Sequence, residues 1–228
     1  MTNKALFAWS GGKDSALALF EIARLQNTEI VALLTTVTEG YDRISMHGVR
    51  RELLVAQAEA LGYPLEEVSI PPQCANEVYE QRMQQALEKY RQAGVTHTVF
   101  GDLFLADVRA YREERLGRIG MQGIFPLWGR NTGDLARQSV QLGFRAIIVC
   151  VDTTVLNGTY AGREYDEHFL RDLPGEVDPC GENGEFHTFV YAGPVFRKPI
   201  PIERGEKVLR EERFYYCDLI SAAAETRK

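Results

Sequence analysis

Short apolar runs alternate with helically spaced apolar positions through the first hundred residues of the chain. The runs predict strands, and the segments between them carry an apolar residue every three or four positions, as in helices with one buried face. The predicted strands are 5–9, 29–37, 65–70 and 96–100, and the predicted helices are 16–23, 49–61 and 76–93. This alternation predicts a parallel sheet with helices on both faces, whose ligands bind beyond the carboxyl ends of its strands.

The second half of the chain is less regular. The elements predicted there are helices at 107–119, 131–142 and 164–172, a strand at 145–151 and a β-rich run at 186–191. The remainder of 152–180 is predicted to form loops. We therefore expect an α/β domain at 1–104 and a smaller α+β domain at 105–228, with no flexible linker to mark the boundary.

Composition narrows the class of protein. The 228 residues are 45% hydrophobic and 25% charged, as in soluble globular proteins, and the net charge of −6 argues against a strongly basic nucleic-acid surface. The four cysteines form no Cys-x-x-Cys pair, which disfavours a zinc site or a redox dithiol and suits a reducing compartment. No apolar run approaches the length of a membrane span. We expect a cytoplasmic protein, and a homo-oligomer is left open.

The most informative motif is Ser-Gly-Gly-Lys-Asp-Ser at 10–15, between the first predicted strand and the first predicted helix. Its two glycines allow a sharp turn, and the helix start adds unpaired N–H donors and a partial positive charge. Together with Lys13 they predict a phosphate or pyrophosphate site. A Walker A loop does not fit, because its first glycine would fall on Phe7 and its hydroxyl on Asp14. The alternative is an ordinary strand–turn–helix corner.

Further candidates stand at the ends of predicted parallel strands, where a ligand of such a sheet binds. Thr35 lies in the last part of the second strand, and Gly101 and Asp102 follow the fourth. His47 comes just before the helix at 49–61, so it either faces the site or lies in a loop.

A second cluster of reactive side chains lies at 178–188. It combines the carboxylates of Asp178, Glu182 and Glu185 with the Cys180 thiol and the His187 imidazole around two glycines. Carboxylates beside a nucleotide can hold Mg²⁺, act as bases or position ammonia. The alternative is architectural, because Asn-Gly before a β-rich run is a strong hairpin signal. The neighbouring carboxylates disfavour a thiolate in this segment.

Several segments, in this order along the chain, carry a specific resemblance to a known family. They are residues 5–15, residues 47–64, Gly101-Asp102, Pro126-Leu127-Trp128 and Cys-Gly-Glu-Asn-Gly-Glu at 180–185. The chain resembles the PP-loop ATP-binding family of diphthine–ammonia ligases over nearly its whole length. The PP-loop at 10–15 indicates only the superfamily, whereas the 180–185 segment together with Pro-Leu-Trp indicates the family. Two positions depart from the usual pattern, because Asn183 replaces a glycine and His187 replaces a glutamate.

The resemblance implies a HUP-type, Rossmann-like N-terminal domain that faces a smaller C-terminal domain, with ATP and Mg²⁺ as cofactors. It implies adenylation of a carboxylate with release of pyrophosphate, followed by amidation with ammonia. The carboxylate would be diphthine on elongation factor 2 in an archaeal or eukaryotic source, and another carboxylate in a bacterial one.

Roles for individual residues follow from the strand ends and from the resemblance. The residues expected to bind the nucleotide are Ser10, Gly11, Gly12, Lys13, Asp14, Ser15, Thr35 and Gly101, with Asp14 also a metal ligand. The residues expected to be catalytic are Lys13, Asp102, Glu182 and Glu185. The residues expected to contact substrate are His47, Cys180 and Asn183.

Two other functions are weighed against the ligase. One is an RNA-modifying PP-loop enzyme, which would usually add a basic RNA-binding domain or cysteine pairs, and the sequence has neither. The other is a non-catalytic nucleotide-binding regulator, against which Lys13 and the acidic residues of 178–188 argue.

Overall fold

The computed structural model describes residues 2–40, 43–44 and 48–222, and the predicted substrate residue His47 lies outside the described residues. The strands are β1 (Asn3–Ala8), β2 (Thr28–Thr38), β3 (Arg43–Ile44), β4 (Leu65–Ile70), β5 (His97–Val99), β6 (Gln122–Ile124), β7 (Arg145–Asp152), β8 (Phe186–Ala192), β9 (Ile202–Arg210) and β10 (Phe214–Ser221). The helices are α1 (Lys13–Leu25), α2 (Arg51–Leu61), α3 (Asn76–Gln92), α4 (Ala106–Arg118), α5 (Thr132–Gln141) and α6 (Glu167–Asp172).

The first sheet confirms the predicted parallel α/β fold. Its parallel strands are ordered β4-β2-β1-β5-β6, and β3 pairs antiparallel with the last two residues of β2. The chain order reverses at β1, which lies between β2 and β5. A crevice opens beyond the carboxyl ends of the strands at such a reversal, and the segment at 10–15 leaves β1 there.

Both faces of the first sheet are covered, as β1 illustrates. Phe7 packs in a core with residues of α1, α2 and β7, whereas its neighbour Leu6 packs in a second core with residues of α3 and α4. Successive side chains of a strand point to opposite faces, so both must be apolar when both faces are buried. Helix α2 ends at Gly62 as predicted, with φ +80° and its N–H donating to the carbonyls of Ala58 and Glu59.

The second sheet is antiparallel and ordered β8-β7-β10-β9. It supplies the predicted smaller α+β part of the fold, with α5 and α6 beside it. The apolar pattern indicated β7 and β8 but neither β9 nor β10. The reason is visible in β9, an edge strand whose partly buried residues recur every third position rather than every second.

Two further comparisons with the sequence predictions concern the boundaries of a helix and of the domains. The helix predicted at 164–172 begins later, at Glu167, because the Asp166 side chain caps it by accepting the Phe169 N–H at 2.8 Å, while the Tyr165 N–H donates to the Ala146 carbonyl. The first sheet takes its last strand, β6, from beyond residue 104, and the domain division after residue 104 stays a prediction.

Within the described part of the chain, no helix is both long and apolar enough to cross a membrane.

Candidate active site

The loop at 10–15 forms a tight turn between β1 and α1. Gly11 has φ +81°, a conformation that favours glycine. The Gly12 N–H donates to Ser10 Oγ at 3.3 Å, Ser10 Oγ donates to Ser15 Oγ at 3.1 Å, and Ser15 Oγ donates to the Gly12 carbonyl at 2.8 Å. Helix α1 begins at Lys13, and Gly12 provides no side-chain cap for it.

Lys13 lies at the junction of the two sheets and is only 2% exposed. Its ammonium donates to Asp14 Oδ2 at 2.8 Å and to the Cys180 carbonyl, and it lies 5.3 Å from the centre of the Tyr165 ring and 5.6 Å from that of Phe186. Burial is the largest single influence and acts to lower the pKa of Lys13, but the charge and hydrogen bond of Asp14, together with the nearby Cys180 and Asp178, outweigh it and the pKa is raised. The ammonium is therefore charged at neutral pH, held between the loop and the 178–185 segment.

Asp14 is the partner of this ammonium. Burial raises the pKa of Asp14, and the positive charge of Lys13 opposes the shift. Its predicted role as a metal ligand stays a prediction. Among residues 2–40, 43–44 and 48–222, no group of three or more His, Cys, Asp or Glu side chains is arranged to hold a metal ion.

The other strand-end residues lie close to the loop or support it. The buried Thr35 hydroxyl donates to the Trp9 carbonyl at 2.5 Å, directly before the loop. A Cβ added to Gly101 would lie 3.0 Å from the backbone nitrogen of Ser15, so only glycine lets the end of β5 approach the start of α1 this closely. Asp102 Oδ2 pairs with Arg112 Nε at 2.8 Å. Burial raises the pKa of Asp102 despite that pairing.

Glu182 connects the acidic segment to the end of β5. Its Oε1 accepts the Leu103 N–H at 2.8 Å, and its own N–H donates to Asp178 Oδ2 at 2.9 Å. Burial raises the pKa of Glu182 to about 7, and the charges of Asp14 and Asp102 act in the same direction. A carboxyl group with this pKa exchanges its proton readily near neutral pH.

Glu185 differs from Glu182 because its bonds stay inside the loop. Its Oε1 accepts from the Asp178 N–H at 3.1 Å and from the Asn183 side-chain amide at 3.0 Å, and its Oε2 accepts the Asn183 N–H at 3.0 Å. The Glu185 side chain is 7% exposed. These contacts organise the turn, and the catalytic role of Glu185 and the substrate role of Asn183 stay predictions.

The thiol and the imidazole of the segment are both neutral at physiological pH. The buried Cys180 thiol donates to the Thr132 carbonyl at 3.3 Å, and burial raises its pKa far above the usual range. Burial lowers the pKa of His187 to about 4, with the nearby Lys13 charge acting in the same direction. Neither group therefore adds a charge beside the loop.

Residues that sequence reasoning missed join β8 to the loop. Thr188 Oγ1 accepts the Lys13 N–H at 3.0 Å, and the Val190 N–H donates to the Gly11 carbonyl at 2.9 Å. Gln57 on α2 reaches the same carbonyl. The signal for Gln57 was present, because it lies four residues after Leu53 on the predicted apolar face of its helix. The hydrogen bonds of Thr188 and Val190 to the loop join residues that are far apart in the chain, so the local sequence pattern does not indicate them.

Comparisons with known proteins cover both halves of the chain. A family model described as the diphthamide synthase N-terminal domain matches residues 3–123, and one described as the diphthamide synthase C-terminal domain matches residues 131–223. Proteins named diphthine–ammonia ligase from Rattus norvegicus and Homo sapiens are each 25% identical, with 88% of this chain and 83% of theirs covered. The protein of that name from Schizosaccharomyces pombe is 28% identical, with 90% of this chain and 37% of its own covered.

A solved structure is also similar. It is described as a predicted subunit of tRNA methyltransferase from Methanocaldococcus jannaschii. It is 16% identical with a TM-score of 0.44, and the alignment covers 87% of this chain and 100% of that chain.

Proposed function

The chain belongs to the diphthamide synthase family, and from that premise we propose that it is an ATP-dependent ligase that amidates the carboxylate of diphthine on elongation factor 2 with ammonia. The carboxylate is activated by transfer of AMP from ATP with release of pyrophosphate, and ammonia then displaces AMP to form the amide. The observation that supports the proposal most is the meeting of the 10–15 loop and the 178–185 segment at Lys13, where the proposed phosphate site would lie beside carboxylates.

The loop has the features that a triphosphate needs. The Gly12 N–H and the N-terminus of α1, whose first N–H is held by Thr188 Oγ1, provide backbone donors, and the hydroxyls of Ser10 and Ser15 lie beside them. Gly12 also packs closely, because an added Cβ would lie 3.3 Å from the Thr188 carbonyl oxygen. We assign the nucleotide phosphates to this loop, with Gly101 packed behind it.

Mg²⁺ enters with the nucleotide in this proposal. Magnesium in such sites is held by one or two carboxylates together with the substrate's phosphate oxygens and water, so a ready-made protein cage is not needed. Asp14 is the carboxylate adjacent to the loop, and it would hold the ion from that side. The ion would offset charge on the phosphates.

Lys13 and Glu182 take complementary roles. The Lys13 ammonium offsets the negative charge that develops on the leaving pyrophosphate, the kind of contact that stabilises a transition state. Glu182, with its pKa of about 7, accepts a proton from ammonium or from the attacking nitrogen at neutral pH. Asp102 directly precedes Leu103, whose N–H orients Glu182. Its carboxylate therefore adds to those of the 178–185 segment on this side of the site.

The two other functions are not favoured, because both halves of the chain match the diphthamide synthase models. A cytoplasmic location, the oligomeric state and the substrate roles of Cys180 and Asn183 stay predictions.

Product analysis tests the proposal. The protein is incubated with ATP, Mg²⁺, ¹⁵N-ammonium and elongation factor 2 that carries diphthine, and nucleotides and the modified residue are followed by chromatography and mass spectrometry. The expected result is AMP and pyrophosphate in equal amounts, formed only when carboxylate and ammonium are both present, with ¹⁵N in the amide. ADP as the product, or no turnover on this carboxylate, would overturn the proposal.

A further inference from the structure

Gln57 is a fully buried polar side chain whose hydrogen-bonding groups are all used at the base of the 10–15 loop. Its relative exposure is 0%. Its Oε1 accepts the Trp9 indole N–H at 2.9 Å, and its Nε2 donates to the Gly11 carbonyl at 3.0 Å and to the Val190 carbonyl at 2.6 Å. One amide thus joins the residue before the loop, the loop itself and β8.

The Gly11 carbonyl is the fixed point of this arrangement. It accepts one bond from Gln57 and a second from the Val190 N–H, so both its lone pairs are directed towards α2 and β8. A trans peptide is planar, with its C=O and N–H on opposite sides. The Gly12 N–H therefore points away from α2, to the side where Ser10 and Ser15 place their hydroxyls.

The peptide between Gly11 and Gly12 is unusually free to rotate, because neither residue has a Cβ. Rotation by half a turn would direct the carbonyl oxygen, an acceptor, at the phosphates and turn the N–H donor away. Gly11 cannot restrict this motion with a side chain of its own, since an added Cβ would lie 2.9 Å from Gln57 Oε1.

We infer that Gln57 is a positioning residue that holds the Gly11–Gly12 peptide with its N–H towards the phosphates of ATP. Its contacts are all with protein groups, so it acts on the nucleotide through the loop. The inference rests on the proposed function, because it needs the loop to bind a nucleotide.

The chemistry of the site requires an amide. The side-chain amide of Gln57 faces one donor and two acceptors. The donor is the Trp9 indole N–H, and the acceptors are the carbonyls of Gly11 and Val190. A glutamate of the same shape would accept from Trp9 but would turn an oxygen towards two carbonyl oxygens. When protonated it would regain one donated bond. A methionine would fill the space and donate nothing.

The experiment measures binding of Mg·ATP by calorimetry, together with KM for ATP and kcat, in wild type, Gln57→Met and Gln57→Glu. Leu61→Ala is the matched control, because Leu61 is a buried residue of the same helix whose apolar side chain can offer the loop no hydrogen bond. Gln57→Met is expected to raise Kd and KM by about tenfold or more, as for loss of buried hydrogen bonds, with a smaller change in kcat. Gln57→Glu is expected to bind more weakly at pH 9 than at pH 6, where protonation restores a donor.

Leu61→Ala should lower the melting temperature while keeping Kd near the wild-type value. Equal Kd for wild type and Gln57→Met, or a weakening in Leu61→Ala as large as in Gln57→Met, would overturn the positioning role. If Gln57→Met does not fold, the decision falls to Gln57→Glu, and an affinity without pH dependence relative to wild type overturns the inference. Failure of the wild type to bind Mg·ATP would instead remove the proposed function.

Discussion

Glu182→Gln is expected to make the protein more stable and less active at neutral and alkaline pH. Burial raises the pKa of Glu182 to about 7 from an ordinary value of 4.5. A carboxyl group whose pKa is higher in the folded chain binds its proton more tightly there, so stability falls as pH rises from the unfolded pKa to the folded one. Glutamine has no proton to lose, and its amide oxygen can still accept the Leu103 N–H.

The size of the effect follows from the pKa. A value of about 7 in place of 4.5 corresponds to about 3 kcal/mol at about 1.4 kcal/mol per pH unit. Glu182 is partly exposed, and solvent screening reduces this to about 1–2 kcal/mol. The advantage of the variant over the wild type in unfolding free energy should therefore grow from near zero at about pH 5 to about 1–2 kcal/mol at about pH 8.

Urea denaturation at a series of pH values from about 5 to 9 measures this difference, and the rate of amide formation is followed in the same buffers. Glu176→Gln is the control, because Glu176 is an exposed carboxylate near the same segment. The rate should fall about 100-fold in Glu182→Gln and lose its pH dependence near 7, as for removal of a general base. A difference in stability that stays constant with pH, or a variant with full activity, would refute the reasoning.

Three other variants test the rest of the site. Lys13→Met should lower kcat by about 100- to 1,000-fold, and unchanged pyrophosphate release would exclude its catalytic role. Glu185→Gln should cost about 1–3 kcal/mol in urea denaturation, because bonds inside the loop are lost, while calorimetry finds ATP affinity nearly unchanged; a large loss of affinity at wild-type stability would contradict this. Asp102→Asn should lower the melting temperature by leaving Arg112 without its counter-charge, and it should weaken Mg·ATP binding in calorimetry; unchanged affinity would place Asp102 outside the nucleotide site.

The first sheet could be predicted because its signals are local. Short segments rich in apolar and β-branched residues indicated the positions of β1, β2, β4 and β5, and Gly62 marked the end of α2. The turn at 10–15 was predicted from equally local signals, since two glycines at a strand–helix boundary favour a sharp turn, and its phosphate-binding role stays a prediction. Residues far apart in the chain were not needed for any of these predictions.

The rest depends on contacts between distant residues, which a pattern of apolar positions does not show. Thr188 is separated from Lys13 by 175 positions, yet it caps the start of α1. Gln57 was passed over for a related reason, because one polar residue on an apolar helix face shows that a partner exists but not which one. Glu182 and Glu185 also looked alike in sequence. Only their hydrogen-bond partners distinguish them, because Glu182 bonds to Leu103 at the end of β5 and Glu185 bonds within its own loop.

The site is built so that each half of the molecule holds the reactive groups of the other. Residues of the C-terminal half fix the loop, through Thr188 on the Lys13 N–H and the Cys180 carbonyl on its ammonium. Residues of the N-terminal half in turn fix the acidic segment, through the Leu103 N–H on Glu182. Catalytic groups need positions accurate to a fraction of an ångström, and mutual support of this kind provides them without a flexible hinge. The 10–15 loop and the 178–185 segment therefore support each other, and a change that removes one of these contacts between the two halves is expected to disturb both.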